Sequence, residues 1–222
     1  MMAPRRFPQT DIYGVTASEY SLGRSNLEVV RQMLEAGIKL IQYREKEFTM
    51  RQKYDECLVI RRLCREHSAC FIVNDDVHLA LAVKADGVHV GQDDLSVVKV
   101  RELVGEKMLI GLSTATPQQA DQAVESGVID YLGAGPIYDT TTKKDAGVPA
   151  GLEYLDYLVQ HYRIPIVAIG GIKQSNVADV IRHGVTCVVM ISDIVGADNI
   201  GQKIKAIRET MSIAKASLEK PK

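Results

Sequence analysis

The chain has 222 residues, of which 46% are hydrophobic, and a formal net charge of −1 at pH 7. This length and hydrophobic content are enough for one large domain or two small ones. The balance of charge argues against general nucleic-acid binding, because such binding needs an excess of basic residues to neutralise phosphates. No apolar run is long enough to span a bilayer, and the start MMAPRRFPQT lacks the apolar stretch of a signal peptide, so we expect a cytoplasmic protein with no membrane partner.

Short apolar runs rich in β-branched residues alternate with helical patterns along the whole chain. The predicted strands are, in order, DIYGVTA, IKLIQYR, CFIVND, GVHVG, MLIGLS, YLGAG, IPIVAIG and CVVMIS. The helical patterns that follow them are NLEVVRQMLEAG, MRQKYDECLVIRRLCREH, DVHLALAVK, LSVVKVRELVG, PQQADQAVESG, GLEYLDYLVQHY, SNVADVIRHG and IGQKIKAIRETMSIA. Several of these helices end at a glycine, as a left-handed C-terminal cap requires: Gly37, Gly105, Gly127 and Gly184.

This alternation predicts the fold class. Apolar strands that are each followed by a helix indicate a parallel sheet covered by helices, and eight such units indicate a single-domain (β/α)8 TIM barrel. A doubly wound open sheet is the alternative, but it needs a glycine fingerprint after the first strand, which GVTASEYSLGRSN lacks. We expect one domain over residues 1–222, with short flexible ends at about 1–10 and 215–222.

The cysteines indicate core thiols rather than a metal site. They lie at Cys57, Cys64, Cys70 and Cys187 and form no CxxC pair. A zinc site would need closer spacing and histidine partners. Free cysteine is among the most buried residue types, so we expect reduced, buried thiols.

The second predicted strand ends in three polar side chains at alternate positions, Gln42, Arg44 and Lys46. Alternate positions of a strand share one face, which in a barrel is the interior. Two cations there need an anion with several oxygens, and a planar guanidinium suits phosphate. A solvated strand end is the alternative.

Carboxylates follow the next two strands, and Asp75 and Asp94 would share the active-site rim of the barrel with these cations. Carboxylates repel phosphate unless Mg²⁺ lies between them, so the set predicts a magnesium–diphosphate site. Helix capping is the alternative for the Asn-Asp-Asp run after strand three and for Asp93 and Asp94.

A second anion site is predicted after strands seven and eight, where AIGGI and MISDIVGADN supply glycines and a helix start. The long loop from Ile137 to Ala150 is typical of a lid, and Lys143 or Lys144 would close over a diphosphate. A tight turn and an ordinary surface loop are the respective alternatives. We expect His89 to be a packed, hydrogen-bonded residue, and no nucleophile–base pair is evident, which favours a reaction driven by its leaving group.

The motifs QYREK, FIVNDD, GVHVGQDD, GLSTAT, YLGAGPIYDTTTKKDA, PIVAIGGI and VVMIS occur in the order found in the thiamine-phosphate synthase family. The chain resembles that family from about Ile12 to the last helix. The resemblance implies a (β/α)8 barrel that joins 4-amino-2-methyl-5-hydroxymethylpyrimidine diphosphate to 4-methyl-5-(2-phosphoethyl)thiazole. The products would be thiamine phosphate and pyrophosphate, with Mg²⁺ as cofactor.

The resemblance also implies roles for individual residues. Pyrophosphate binding falls to Gln42, Arg44, Lys46, Asn74 and Lys143, and metal binding to Asp75 and Asp94. Ser113 contacts the pyrimidine, and the thiazole phosphate is bound by Thr140, Thr142, Gly171, Ile191 and Ser192. The expected catalytic set is Arg44, Lys46, Ser113 and Lys143.

Two positions depart from the family pattern: Asp139 stands where proline is common, and Asp193 replaces a small residue beside the thiazole-phosphate loop. Asp193 would weaken phosphate binding unless it points outward. Two other functions stay open, a thiazole tautomerase on the same barrel and a non-catalytic binder of phosphorylated metabolites. A homo-oligomer is also left open by the sequence.

Overall fold

The computed structural model describes residues 6–142 and 147–218, and its centre is one sheet of eight parallel strands in chain order. The strands are β1 Gly14–Val15, β2 Leu40–Tyr43, β3 Cys70–Asn74, β4 Gly87–Val90, β5 Leu109–Thr114, β6 Tyr131–Ala134, β7 Ile166–Ala168 and β8 Cys187–Val188. The sheet closes on itself through a parallel bridge between Ile12 and Val188, in which Tyr13 N donates to Val188 O at 2.9 Å. The predicted single-domain (β/α)8 barrel is confirmed.

Within the described residues nine α-helices connect or follow the strands. They are α1 Asn26–Glu35, α2 Met50–Glu66, α3 Val77–Ala82, α4 Val97–Val104, α5 Pro117–Glu125, α6 Gly151–His161, α7 Val177–Arg182, α8 Ile191–Val195 and α9 Ile200–Leu218. Every predicted helix is present, and a backbone turn with positive φ follows four of them at the predicted glycines, Gly37, Gly105, Gly127 and Gly184.

Most strands are shorter than the predicted runs, and at one run the type of structure also differs. The run CVVMIS was expected to be a strand throughout, but β8 ends at Val188 and the short helix α8 begins at Ile191. The run is apolar up to Ser192 and largely buried, and burial alone does not distinguish the end of a strand from the start of a helix.

Two apolar layers pack on the two faces of the sheet. The layer inside the barrel consists of Tyr13, Val15, Leu40, Ile72, Leu109, Tyr131, Val167, Cys187 and Val189. On β2, Leu40 belongs to this inner layer, whereas Ile41 and Tyr43 pack outward against the helices. The strand therefore alternates as its sequence predicts, which turns Gln42 into the barrel.

Three buried or half-buried ion pairs hold the N-terminal ends of the strands, opposite the rim where the predicted site residues lie. Each joins an aspartate just before a strand to an arginine of a helix: Asp11 to Arg208, Asp86 to Arg61 and Asp130 to Arg101. The Asp86 carboxylate also accepts a hydrogen bond from Phe71 N at 3.0 Å, so this pair joins β3, β4 and α2. These contacts stabilise the barrel and leave the loops at the other end for ligands.

The chain ends and the cysteines complete the framework. The ring of Phe7 packs on that of Tyr131 with centroids 4.9 Å apart, and α9 continues to Leu218. Neither feature measures motion, and the flexibility expected of the two ends stays a prediction. All four cysteines are free thiols, and Cys57, Cys64 and Cys187 are buried. In the part of the chain that the structure describes, no helix is long and apolar enough to cross a membrane.

Candidate active site

The carboxyl ends of the eight strands and the loops after them form one ring, here called the C-terminal rim, and the predicted site residues lie along it. Gln42 lies on β2 just below this rim, with 6% of its surface exposed. Its Nε2 donates to the hydroxyl of Tyr13 at 2.9 Å. The side chain therefore lies inside the barrel, as its strand position predicts.

The Arg44 side chain is half-buried, and its main chain and its guanidinium differ in their contacts. Its main chain is anchored to the residue that follows β1, because Arg44 N donates to Thr16 Oγ1 at 2.8 Å and Thr16 Oγ1 donates to Arg44 O at 3.2 Å. Its guanidinium makes no hydrogen bond or ion pair with any residue that the structure describes. A half-buried cation that has no partner among the described residues is chemically suited to bind an anion.

Lys46 and the two predicted metal ligands form one cluster. The Lys46 Nζ lies 2.5 Å from Asp75 Oδ2, and the Asp94 carboxyl is a direct neighbour of Asp75. Burial and the charge of Asp94 raise the pKa of Asp75 against the opposing effect of Lys46. Two carboxylates in contact favour a cation between them.

The helix-capping alternative for these two carboxylates is wrong. The N-cap residues of α3 and α4 are Asp76 and Ser96, one position after Asp75 and two after Asp94. Asp75 has a left-handed backbone with φ of 59°, and its N–H donates to His89 O at 2.8 Å. Asp94 Oδ2 accepts a hydrogen bond from Gly91 N at 2.7 Å, which orients its carboxylate within the loop after β4.

These carboxylates fit a magnesium ion that a substrate helps to hold. Among the described residues there is no cluster of three or more metal-binding side chains. Magnesium needs only one or two carboxylates when phosphate oxygens and water fill its other positions. The donor set of Asp75 and Asp94 therefore suits Mg²⁺ bound together with a diphosphate.

Ser113 and Asn74 lie at the ends of β5 and β3. The Ser113 hydroxyl is 2.9 Å from His89 Nε2, and His89 Nδ1 is 2.9 Å from the hydroxyl of Tyr131. His89 is thus a packed, hydrogen-bonded residue, as expected. Asn74 pairs with His89 in the register of β3 and β4, so its side chain comes from the strand next to that of His89.

The glycine pair after β7 supports the start of the lid loop, defined as Ile137–Ala150. Tyr138 N donates to Gly170 O at 3.0 Å, and a β-carbon on Gly171 would lie 2.4 Å from Asp139 O. Gly171 also has a positive φ of 64°. The pair therefore permits close approach of two loops, which a plain tight turn would not explain.

The loop after β8 supplies the other predicted phosphate contacts. Ile191 begins α8, and the residue before it gives no side-chain cap, so the first N–H groups of this helix, including that of Ser192, have no intrahelical acceptor. The Asp193 carboxylate accepts from Gln174 N at 2.8 Å and lies 3.2 Å from Lys203 Nζ. Its charge is thereby compensated by α9, which removes the expected conflict with a phosphate.

The lid loop is only partly described. Thr142 N donates to Thr140 Oγ1 at 3.3 Å, and Tyr20 donates its hydroxyl proton to Thr141 O at 3.1 Å. Asp139 is exposed at the base of the loop. Lys143 and Lys144 lie outside the described residues, so their expected contact with a diphosphate stays a prediction.

The sequence did not single out Tyr13, Tyr131 or Thr16, which hold Gln42, His89 and Arg44 in place. One signal was available: Gly111 and Gly133 stand at inward-facing positions of β5 and β6, where they leave space for large neighbours. The sequence did not show which side chains would fill that space.

The fold and the rim together define a single-domain (β/α)8 barrel protein whose rim brings a half-buried arginine, a lysine and two neighbouring carboxylates to one side. Residues 12–194 match the family model described as thiamine monophosphate synthase, so the chain belongs to that family. The predicted family, and with it the predicted transferase of thiamine biosynthesis, is confirmed.

Individual relatives are similar over nearly their whole length. A thiamine-phosphate synthase of Pelotomaculum thermopropionicum is 59% identical over 92% of this chain and 93% of its own. One of Lawsonia intracellularis is 50% identical over 92% and 94%. The solved structure of thiamine phosphate pyrophosphorylase from Pyrococcus furiosus has a TM-score of 0.84 at 35% identity, covering 92% of this chain and 96% of that one.

Proposed function

We propose that the chain joins 4-amino-2-methyl-5-hydroxymethylpyrimidine diphosphate to 4-methyl-5-(2-phosphoethyl)thiazole, with release of pyrophosphate. The observation that carries this proposal is the arrangement of Arg44, Lys46, Asp75 and Asp94 at one side of the rim. It combines a half-buried guanidinium that lacks a partner among the described residues with a cation–carboxylate cluster. A diphosphate together with Mg²⁺ complements both parts.

The diphosphate would lie against Arg44 and Lys46, with Gln42, Asn74 and Lys143 as further donors. Arg44 offers paired N–H groups to phosphate oxygens, and its main-chain bonds to Thr16 fix where the side chain starts. Lys46 lies on the same side of the rim, where its ammonium group forms an ion pair with Asp75. When bound by Asp75 and Asp94, Mg²⁺ would supply positive charge to the leaving pyrophosphate.

The two organic parts of the reaction would occupy the rest of the rim. Ser113, held by His89, contacts the pyrimidine, whose diphosphate reaches back to β2. The thiazole phosphate is bound by Thr140 and Thr142 of the lid loop, by Gly171, and by the backbone of Ile191 and Ser192. The compensated charge of Asp193 is compatible with a phosphate in this place.

The reaction needs stabilisation of a leaving group more than it needs a base. The thiazole nitrogen is neutral and attacks without losing a proton, so no residue has to remove one in that step. The aminopyrimidine accepts positive charge into its ring as its bond to the diphosphate oxygen breaks. We therefore propose a dissociative displacement in which Arg44, Lys46 and Lys143 stabilise the departing pyrophosphate, and Ser113 holds the ring.

The two other functions account less well for the site. A thiazole tautomerase needs proton transfer and has no use for a diphosphate site, so the cluster of Arg44, Lys46 and the two carboxylates would have no role in it. A non-catalytic binder would bind both ligands without turnover. The arrangement at β2, β3 and β4 favours the synthase.

Pyrophosphate release tests the proposal. The purified chain is incubated with both substrates and Mg²⁺, and with each substrate alone as a control. We expect release that depends on both substrates, with thiamine phosphate formed in equal amount. Isomerisation of a thiazole phosphate without release would indicate a tautomerase, and binding without either reaction would indicate a binder.

We also propose that the protein works in the cytoplasm. Its four free thiols suit a reducing compartment, where structural disulfides are rare. A near-neutral charge also fits small-molecule substrates rather than nucleic acid. Whether the chain forms a homo-oligomer stays open and is testable by light scattering.

A further inference from the structure

A continuous series of hydrogen bonds crosses the inside of the barrel just below the rim. Gln42 Nε2 donates to the Tyr13 hydroxyl at 2.9 Å, which lies 3.0 Å from the hydroxyl of Tyr131. Tyr131 contacts His89 Nδ1 at 2.9 Å, and His89 Nε2 contacts Ser113 Oγ at 2.9 Å. We call Gln42, Tyr13, Tyr131, His89 and Ser113 the interior chain. Its two ends are residues that the proposed function places on the pyrimidine substrate.

The barrel is built around this interior chain. Tyr13 and Tyr131 are 2% and 0% exposed. A β-carbon on Gly111 would lie 2.1 Å from Tyr131 Cζ and 2.4 Å from His89 Nδ1, and one on Gly133 would lie 2.9 Å from His89 Cε1. Glycine inside a strand costs stability, so two such positions facing the same side chains indicate space reserved for them.

The hydrogen bonds of the interior chain have one consistent direction. The amide nitrogen of Gln42 only donates, so Tyr13 accepts from it and gives its own proton to Tyr131. Tyr131 then donates to His89 Nδ1, and the neutral imidazole donates through Nε2 to Ser113 Oγ. In the opposite direction Tyr13 would accept two hydrogen bonds, and its own proton would need a further acceptor in the core.

The two phenols keep the protons that this direction requires. Burial raises the pKa of Tyr13 well above its usual value. The pKa of Tyr131 is also raised well above its usual value, mainly by burial and to a smaller extent by the nearby Tyr13. Each phenol therefore has one proton to donate. Because Ser113 accepts from His89, its own hydroxyl proton is left for a group above the rim.

We infer that His89, Tyr131 and Tyr13 are positioning residues that make the Ser113 hydroxyl a hydrogen-bond donor to a ring nitrogen of the pyrimidine substrate. This inference rests on the proposed function. A ring nitrogen accepts a hydrogen bond, so the polarity of the interior chain selects a heteroaromatic ring with an acceptor at that point. None of the three residues needs to touch the substrate.

A double-mutant cycle tests the inference, because a residue that acts through Ser113 has no further effect once the Ser113 hydroxyl is gone. Tyr131→Phe should lower kcat/KM for the pyrimidine diphosphate by about five- to tenfold, the effect of one hydrogen bond. The KM for the thiazole phosphate should stay the same. In a Ser113→Ala background, Tyr131→Phe should change kcat/KM less than about twofold.

Tyr154→Phe is the matched control. Tyr154 is also buried, on α6, and its hydroxyl donates to Thr114 Oγ1 at 2.7 Å, outside the barrel interior. We expect a similar loss of stability from this variant and no selective effect on the pyrimidine substrate. Tyr13→Phe, one step further from Ser113, should act in the same direction as Tyr131→Phe, and it replaces that variant if Tyr131→Phe does not fold.

The possible outcomes separate the inference from the proposed function. Wild-type chain that releases no pyrophosphate would refute both. If the wild type is active and Tyr131→Phe lowers kcat/KM by the same factor with and without the Ser113 hydroxyl, the inference alone is refuted. An equal effect of Tyr154→Phe on the pyrimidine substrate would also refute it, since the interior chain would then be structural only.

Discussion

Replacing Arg44 by alanine should weaken binding of the pyrimidine diphosphate and leave the fold intact. The Arg44 side chain is half-buried and its guanidinium has no partner among the described residues, so its removal breaks no hydrogen bond or ion pair seen there. We expect the free energy of unfolding to change by less than about 0.5 kcal/mol. A charge-assisted, bidentate contact to phosphate is worth about 2–3 kcal/mol, so the Kd should rise by about 30- to 150-fold.

Calorimetric titration of each ligand in the presence of Mg²⁺ measures this effect. The thiazole phosphate should bind the Arg44→Ala variant as it binds the wild type. Arg51→Ala is the matched control, because this side chain is 85% exposed and, among the described residues, pairs with Asp55 alone, on the same helix. An equal loss of affinity for both ligands, or a large loss of stability, would show that Arg44 is not a diphosphate contact.

Four further results are expected. Asp75→Asn and Asp94→Asn should each raise several-fold the Mg²⁺ concentration that gives half the maximal rate, and unchanged metal dependence in both would exclude them as ligands. Arg61→Ala should lower the free energy of unfolding in urea by about 3–5 kcal/mol, because Asp86 is only 3% exposed, and a loss below about 1 kcal/mol would contradict the importance of this buried pair. Amides of the lid loop should exchange more slowly with deuterium when both products are bound, whereas equal exchange would make the loop plain surface. A trifluoromethyl group in place of the pyrimidine 2-methyl should slow the chemical step strongly in single-turnover kinetics, and equal rates would favour an associative displacement.

Local sequence patterns were sufficient to predict the order of strands and helices and the barrel topology of this protein. Each strand is a short apolar run, and several helices carry local start or stop signals, such as the capping box of Thr49 and Gln52 or the positive-φ turn at Gly105. The alternation of eight such units then leaves few topologies other than the barrel. The rim residues could be named for the same reason, because the carboxyl end of every parallel strand lies on one side of the sheet.

The period of a strand also predicted the faces of β2 correctly. Gln42 points inward to Tyr13, while Tyr43 points outward, where its hydroxyl donates to Glu56 of α2. This result needed only the alternation of side chains along an extended backbone. The prediction was wrong after Val188, where a largely buried apolar run changes from strand to helix within a few positions.

Contacts between distant parts of the chain were decided only by the tertiary structure. Whether Asp75 and Asp94 cap helices or face each other depends on backbone geometry in two separate loops, and whether Asp193 disturbs a phosphate depends on Lys203 of α9. The interior chain is the clearest case. Tyr13 and Tyr131 are far apart in sequence, and their hydroxyls meet because closure of the barrel and the register of its strands bring both side chains to the same level of the interior. A one-residue change of register would turn a side chain to the other face of the sheet, so such contacts are specified by the packing of the whole barrel and by no local segment.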